Sequence, residues 1–178
     1  ALVNKGDTIP GNSHFDTTKG HIEYREAVPV DCTVEEAFEI ENNYPFKGNI
    51  DLQKLEKTLQ KSSKEKIPFV LLTITCNSAG GQPVSIENMR AIRGLCDKYQ
   101  VGFFIDGARF AENAYFIKTR EKEFVKHSIK QIVKEIFSLA DGMTMSAKKD
   151  GIVNMGGFIA LNDSELYKSC STFAIMYE

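Results

Sequence analysis

Phe69-Val70-Leu71-Leu72-Thr73-Ile74-Thr75 is the stretch that most limits the fold. Seven apolar and β-branched residues without alternation predict a strand buried on both faces, as in a parallel sheet covered by helices. Val101–Ile105 and Met143–Ala147 repeat that character, Gly156–Leu161 reads as a strand returning through the sheet, and Ala27–Asp31 is a shorter candidate. Between them lie helical patterns. Ser85 is placed to cap a helix with Ile86, Met89, Ile92, Leu95 and Cys96 near one face, and Ser128 to cap one with Ile129, Ile132, Val133, Ile136 and Phe137 inward. Asp51 is placed to cap a helix in which Leu52, Leu55 and Leu59 recur at helical spacing, Asn113–Glu121 looks helical, Thr33 is placed to cap a brief helix over Val34–Ile40, and Asp163 starts a final helix. Residues 1–12 read as loop around an edge strand. The alternation gives an α/β architecture with a mostly parallel sheet flanked by helices.

In such a sheet, ligands bind outside the carboxyl ends of the strands. Three consecutive ends here deliver chemistry: Asn77 after the first, Asp106 with Arg109 after the second, and Ser146 with Lys148 and Lys149 after the third. Taken singly, each has a plain reading. Lys148-Lys149-Asp150-Gly151 is an ordinary solvated turn, and Asp106 with Arg109 is a helix cap beside an outward cation. Together they match what pyridoxal phosphate demands: a lysine for its aldehyde, a carboxylate for the pyridine nitrogen, polar groups for the ring hydroxyl and a hydroxyl for the phosphate. Cys76–Pro83 holds two glycines and a proline that permit a sharp reversal, but its spacing fits neither dinucleotide nor P-loop fingerprints.

Other classes are disfavoured. A net charge of −2 leaves no basic excess for nucleic acid. Cys32, Cys76, Cys96 and Cys170 are too widely spaced for a zinc site or a small disulfide framework, and fit reduced thiols in a cytoplasmic protein. His21 and Glu23 form an H-x-E fragment without the C-x-x-C of a zinc deaminase. No stretch approaches the ~20 apolar residues of a membrane span. The chain begins at Ala1 without an initiator Met and stops at Glu178 without a helix stop, so a piece of a longer polypeptide is expected.

Several segments are more specific than generic α/β patterns. Thr75–Ser85 reads Thr-Cys-Asn-Ser-Ala-Gly-Gly-Gln-Pro-Val-Ser, Ala108–Lys118 reads Ala-Arg-Phe-Ala-Glu-Asn-Ala-Tyr-Phe-Ile-Lys, and Ser146–Asp150 reads Ser-Ala-Lys-Lys-Asp. With Gly11–Glu23 and Phe46–Leu52, they resemble the β-eliminating lyases of the fold type I pyridoxal phosphate enzymes, the family of tryptophanase and tyrosine phenol-lyase. The resemblance implies that residues 1–178 are the central part of the cofactor-binding large domain, with both family ends missing.

It further implies that Lys149 carries the cofactor and later moves the substrate's α-proton, modulated by Lys148. Asp106 would pair with the pyridine nitrogen, Asn77 and Arg109 with the ring hydroxyl and Ser146 with the phosphate, while Phe15 would stack on the ring. Asp16 stands where tyrosine phenol-lyases typically have threonine. With the wording of Thr75–Ser78, this turns the expectation toward elimination of indole from L-tryptophan, with Asp16 among the catalytic residues. A potassium ion or similar monovalent cation near the Asn154 carbonyl, an amino-acid substrate as the small-molecule partner and a homotetramer are the remaining family expectations.

Overall fold

The computed structural model describes residues 2–61 and 64–177. Ala1 and Glu178, at which the chain begins and stops, lie outside the described residues. Strands β1 (Thr8–Gly11), β2 (Val28–Asp31), β3 (Phe69–Thr73), β4 (Gly102–Asp106), β5 (Gly142–Ser146) and β6 (Gly157–Leu161) form one sheet in the order β2-β1-β3-β4-β5-β6. Every neighbouring pair is parallel except β5 with β6, which is antiparallel. The helices are α1 (Asp16–Tyr24), α2 (Leu52–Lys61), α3 (Ile86–Tyr99), α4 (Phe110–Arg120), α5 (Ile129–Ser138) and α6 (Ser164–Tyr177).

The unbroken apolar run of β3 serves two cores. Val70 and Leu72, with Phe103 and Ile105 of β4, face the larger one, filled by Leu55 and Leu59 of α2, Met89 and Ile92 of α3, Ile117 of α4, and Ile132 and Ile136 of α5. Leu71 points the other way, joining Ile9 of β1 and Ile22 of α1, with Phe69 and Phe104 against them. Each such fully buried side chain contributes about 1.5–3 kcal/mol, more than a typical helix cap, so burial places these helices and the caps set where they begin.

Three of those caps are as the sequence predicts. Ser85 accepts from Asn88 N, Ser128 and Gln131 form a capping box, and Asp51 Oδ1 accepts from Gln53 N at 2.9 Å and Lys54 N at 3.0 Å. Asp163 Oδ1 likewise accepts from Leu166 N at 2.7 Å, at the start of α6.

The N-terminal reading is corrected. Thr8–Gly11 is not a loop beside an edge strand but an inner strand, with β2 at the edge. Pro10 has no N–H to give a ladder, and β1 meets β3 only at the Gly11–Leu71 pair. There a Cβ on Gly11 would lie 2.6 Å from Leu71 O, so glycine permits the approach. The brief helix expected over Val34–Ile40 is a single 3₁₀ turn at Glu35–Phe38, and Thr33 does not cap it. The Thr33 hydroxyl instead donates to Asn12 O at 2.5 Å. Strand β3 stops at Thr73, two residues early, and α4 begins at Phe110, three residues before its apolar pattern.

Candidate active site

Thr73, Asp106 and Thr144 stand side by side across β3, β4 and β5, so the chain leaves β3 and β4 at one level of the sheet and β5 two residues further on. The segments leaving the three strands converge on one open cleft of about 700 Å³, a volume suited to a small cofactor with part of a substrate. Phe15, Asn77, Asp106, Arg109, Ser146, Lys148 and Lys149 all line it.

Asp106 ends β4 with its side chain on the face opposite the larger core. Ala108 N donates to its Oδ1 at 3.3 Å. Burial pushes its carboxyl above the usual carboxylate range, opposed by the Ala108 N–H and by the charges of Lys149 and Arg109. Such a carboxylate is ready to stabilise a further cationic group. Beside it, Arg109 Nη1 donates to Asn77 Oδ1 at 2.5 Å.

Lys149 Nζ donates to Ser146 Oγ at 3.2 Å and lies 5.8 Å from the centre of the Phe15 ring. That amine is part-buried, whereas neighbouring Lys148 is exposed at the rim. Phe15 is presented by a braced loop. His14 N and Nδ1 lie 2.9 and 2.7 Å from Asp31 Oδ1, and Ser78 Oγ donates to His14 O at 2.8 Å. The imidazole holds the Asp31 carboxyl below its ordinary range.

Two of the expected residues do not join the cleft lining. Asp16 is exposed on the first turn of α1, and Asn154 is exposed in the segment before β6. His21 and Glu23 are exposed on α1, and among the described residues no group of three His, Cys, Asp or Glu side chains is arranged to hold a metal ion.

Sequence reasoning also missed contributors. Thr75 lines the cleft with a buried hydroxyl that has no hydrogen-bond partner among the described residues. Tyr167 and Cys170 of α6 complete one wall, carried there by the antiparallel turn of β6. Thr75 sits in the segment already singled out for Asn77, so its β-branched polar side chain at a strand end was a usable signal. The α6 wall had none, because it depends on the direction of β6.

The described side chains suit pyridoxal phosphate: an amine beside a hydroxyl, a part-buried carboxylate whose desolvation raises its proton affinity, an aromatic face, and an orphaned hydroxyl in the same cavity. The β-eliminating lyase family model matches residues 2–175. The chain belongs to that family.

Relatives carry both of the family's activities in their names. A Trichomonas vaginalis protein named "Probable beta-eliminating lyase" is 59% identical over 99% of this chain and 38% of its own. A tryptophanase of Rhodobacter capsulatus is 52% identical over 91% of this chain and 36% of its own, and a tyrosine phenol-lyase of Pasteurella multocida 45% identical over 99% and 39%. This chain therefore spans a little over a third of the length of the relatives it matches. Among solved structures, the PLP-bound C–S lyase of Staphylococcus hominis superposes with a TM-score of 0.62 at 14% identity, over 95% of this chain and 39% of that one. An aminotransferase of Streptoalloteichus hindustanus gives 0.61 at 19%, over 94% and 37%. The sheet is thus that of the fold type I pyridoxal phosphate enzymes.

Proposed function

We propose that this chain is the cofactor-binding part of a pyridoxal phosphate-dependent lyase that converts L-tryptophan to indole, pyruvate and ammonia. The observation that carries the reading is the convergence of Lys149, Asp106 and the Asn77–Arg109 pair from three successive strand ends on one cleft.

When bound, the cofactor supplies an electron sink that makes the substrate's Cα–H bond acidic. The chain's own residues do the rest. Asp106 would hold a proton on the pyridine nitrogen, and Asn77 with Arg109 would bind the ring hydroxyl. Ser146 would bind phosphate oxygen, and the Phe15 face would stack on the ring. Lys149 Nζ, directed by Ser146 Oγ, takes the proton from the substrate Cα, and its exposed neighbour Lys148 modulates it.

The choice of tryptophan rests on Asp16 after Phe15 and on the Thr75–Ser78 wording. Relatives named tyrosine phenol-lyase match over the same span, and Asp16 lies outside the cleft lining, which favours L-tyrosine as the second reading. The reading extends to a cytoplasmic homotetramer with a monovalent cation at the Asn154 carbonyl, acting on free amino acids and not on nucleic acid. Among the described residues no helix is long and apolar enough to cross a membrane.

The test uses the longest natural polypeptide carrying this sequence, supplied with pyridoxal phosphate and given L-tryptophan, L-tyrosine or S-substituted cysteines. Equal release of indole and pyruvate supports the assignment, and phenol with pyruvate moves it to tyrosine. No pyruvate from any of the three, with cofactor bound at Lys149, rejects β-elimination.

A further inference from the structure

We propose that Asp150 is a positioning residue that locks Lys149 onto the Arg109 end of α4. The inference rests on the cofactor reading of Lys149 and adds a residue to it.

A helix leaves its first N–H groups unpaired, and a Ser, Thr, Asp or Asn at the N-cap usually meets them. The N-cap of α4 is Arg109, a pure donor, and it makes no side-chain cap bond. Its guanidinium reaches instead to Asn77 in the cleft. Asp150 takes over the capping. Its Oδ2 accepts from Ala111 N at 2.7 Å and from Glu112 N at 3.1 Å, across 39 and 38 residues of sequence. A carboxylate there also meets the positive end of the helix dipole.

The same turn is stitched down on both sides. Asp150 N donates to Ala108 O at 3.3 Å, and Gly107 N donates to Thr144 O at 2.9 Å. Ile152 N closes on Lys149 O at 3.0 Å, with Ile152 in the left-handed region at φ 52°. A Cβ on Gly151 would fall 2.5 Å from Ala147 O, so the turn is as tight as glycine allows. Lys149 therefore has little backbone freedom, and one carboxylate fixes its distance from Arg109. Delegating the cap releases Arg109 for the cleft and registers the amine against it.

Capture of pyridoxal phosphate at Lys149 reads this without turnover. The longest natural polypeptide is treated with pyridoxal phosphate and cyanoborohydride, and the adduct on the Lys149 peptide is timed by mass spectrometry. Asp150→Ala is expected to slow capture at least tenfold, and Asp150→Ser, which restores a short acceptor, to return it within threefold. Ser128→Ala, which removes the remote cap of α5, is expected to lower the Tm as Asp150→Ala does yet capture at the wild-type rate. Wild-type capture in Asp150→Ala overturns the inference, as does Asp150→Ser restoring the Tm but not capture.

If the alanine variant fails to fold, Asp150→Glu decides. It keeps charge and acceptor but adds a methylene, so capture slowed at least threefold supports the role and wild-type capture rejects it. Absence of capture at Lys149 in the unmutated protein rejects the cofactor reading itself, and this inference with it.

Discussion

Arg109 Nη1 donates to Asn77 Oδ1 at 2.5 Å, tying the turn after β3 to the N-cap of α4. The guanidinium's fixed fork can hold Asn77 and still direct another N–H into the cleft, whereas an ammonium is a point charge on a flexible stem. Arg109→Lys is expected to weaken pyridoxal phosphate binding about tenfold, with little change in Tm. Such a loss matches ~1.5 kcal/mol, the lower end for hydrogen bonds to charged groups, as suits a half-exposed side chain. Equilibrium titration of the cofactor absorbance measures it; unchanged affinity would remove Arg109 from the binding set.

The two lysines separate cleanly. Lys149 is the one in contact with Ser146 and nearest the Phe15 ring, and Lys148 is exposed. Lys149→Ala is expected to abolish the visible absorbance of lysine-bound cofactor and its trapping by borohydride. Lys148→Ala should keep both, with turnover reduced about tenfold, less than the loss of a general base itself brings. Retained, borohydride-reducible absorbance in Lys149→Ala would place the cofactor on another amine.

Asn12 ties the sheet to the loop crossing its end. Its buried amide donates to Gly48 O and Thr73 O and accepts from Thr73 N, each at 2.9 Å. Asn12→Ala orphans three backbone groups, and at ~1–3 kcal/mol for each unsatisfied group, with relaxation, a loss of about 3 kcal/mol is expected in urea denaturation. Asn12→Asp should be no better, because an ionised carboxylate cannot donate to two carbonyls.

Asn12 also marks where sequence reading ends. β3, β4 and β5 and the caps Asp51, Ser85 and Ser128 are legible because periodicity and capping are local, and the strand-end rule then places Asn77, Asp106, Arg109, Ser146 and Lys149 at one edge. β1 is not legible, since only the flanking Val28–Asp31 and Leu71 make a strand of four residues containing proline. Nor is the start of α4, which is capped by Asp150 from 39 residues away. The buried pair of Asn113 with Val84, donating and accepting at 2.9 Å, and the contact of His14 with Asp31 are non-local in the same way. Asp16 and Asn154 were placed by resemblance alone, without a strand end to fix them, and both are exposed outside the cleft lining.

Asp106 sets binding against stability. Burial raises its carboxyl above the unfolded value of about 4, so between that pH and the folded value the native chain holds a proton that the unfolded chain has lost. Without cofactor, stability therefore falls as pH rises through this window, and at neutral pH a desolvated charge remains in the cleft. Asp106→Asn removes that charge and keeps an acceptor for Ala108 N. The variant is expected to unfold at higher urea than the parent at pH 7, to match it below about pH 4, where both side chains are neutral, and to lose nearly all lyase turnover because no carboxylate holds the proton on the pyridine nitrogen. Urea titrations of the cofactor-free proteins at pH 7 and pH 3.5, with turnover of the loaded ones, test the three parts separately. A variant less stable than its parent at pH 7 would mean that attraction to Lys149 and Arg109 outweighs the desolvation of Asp106.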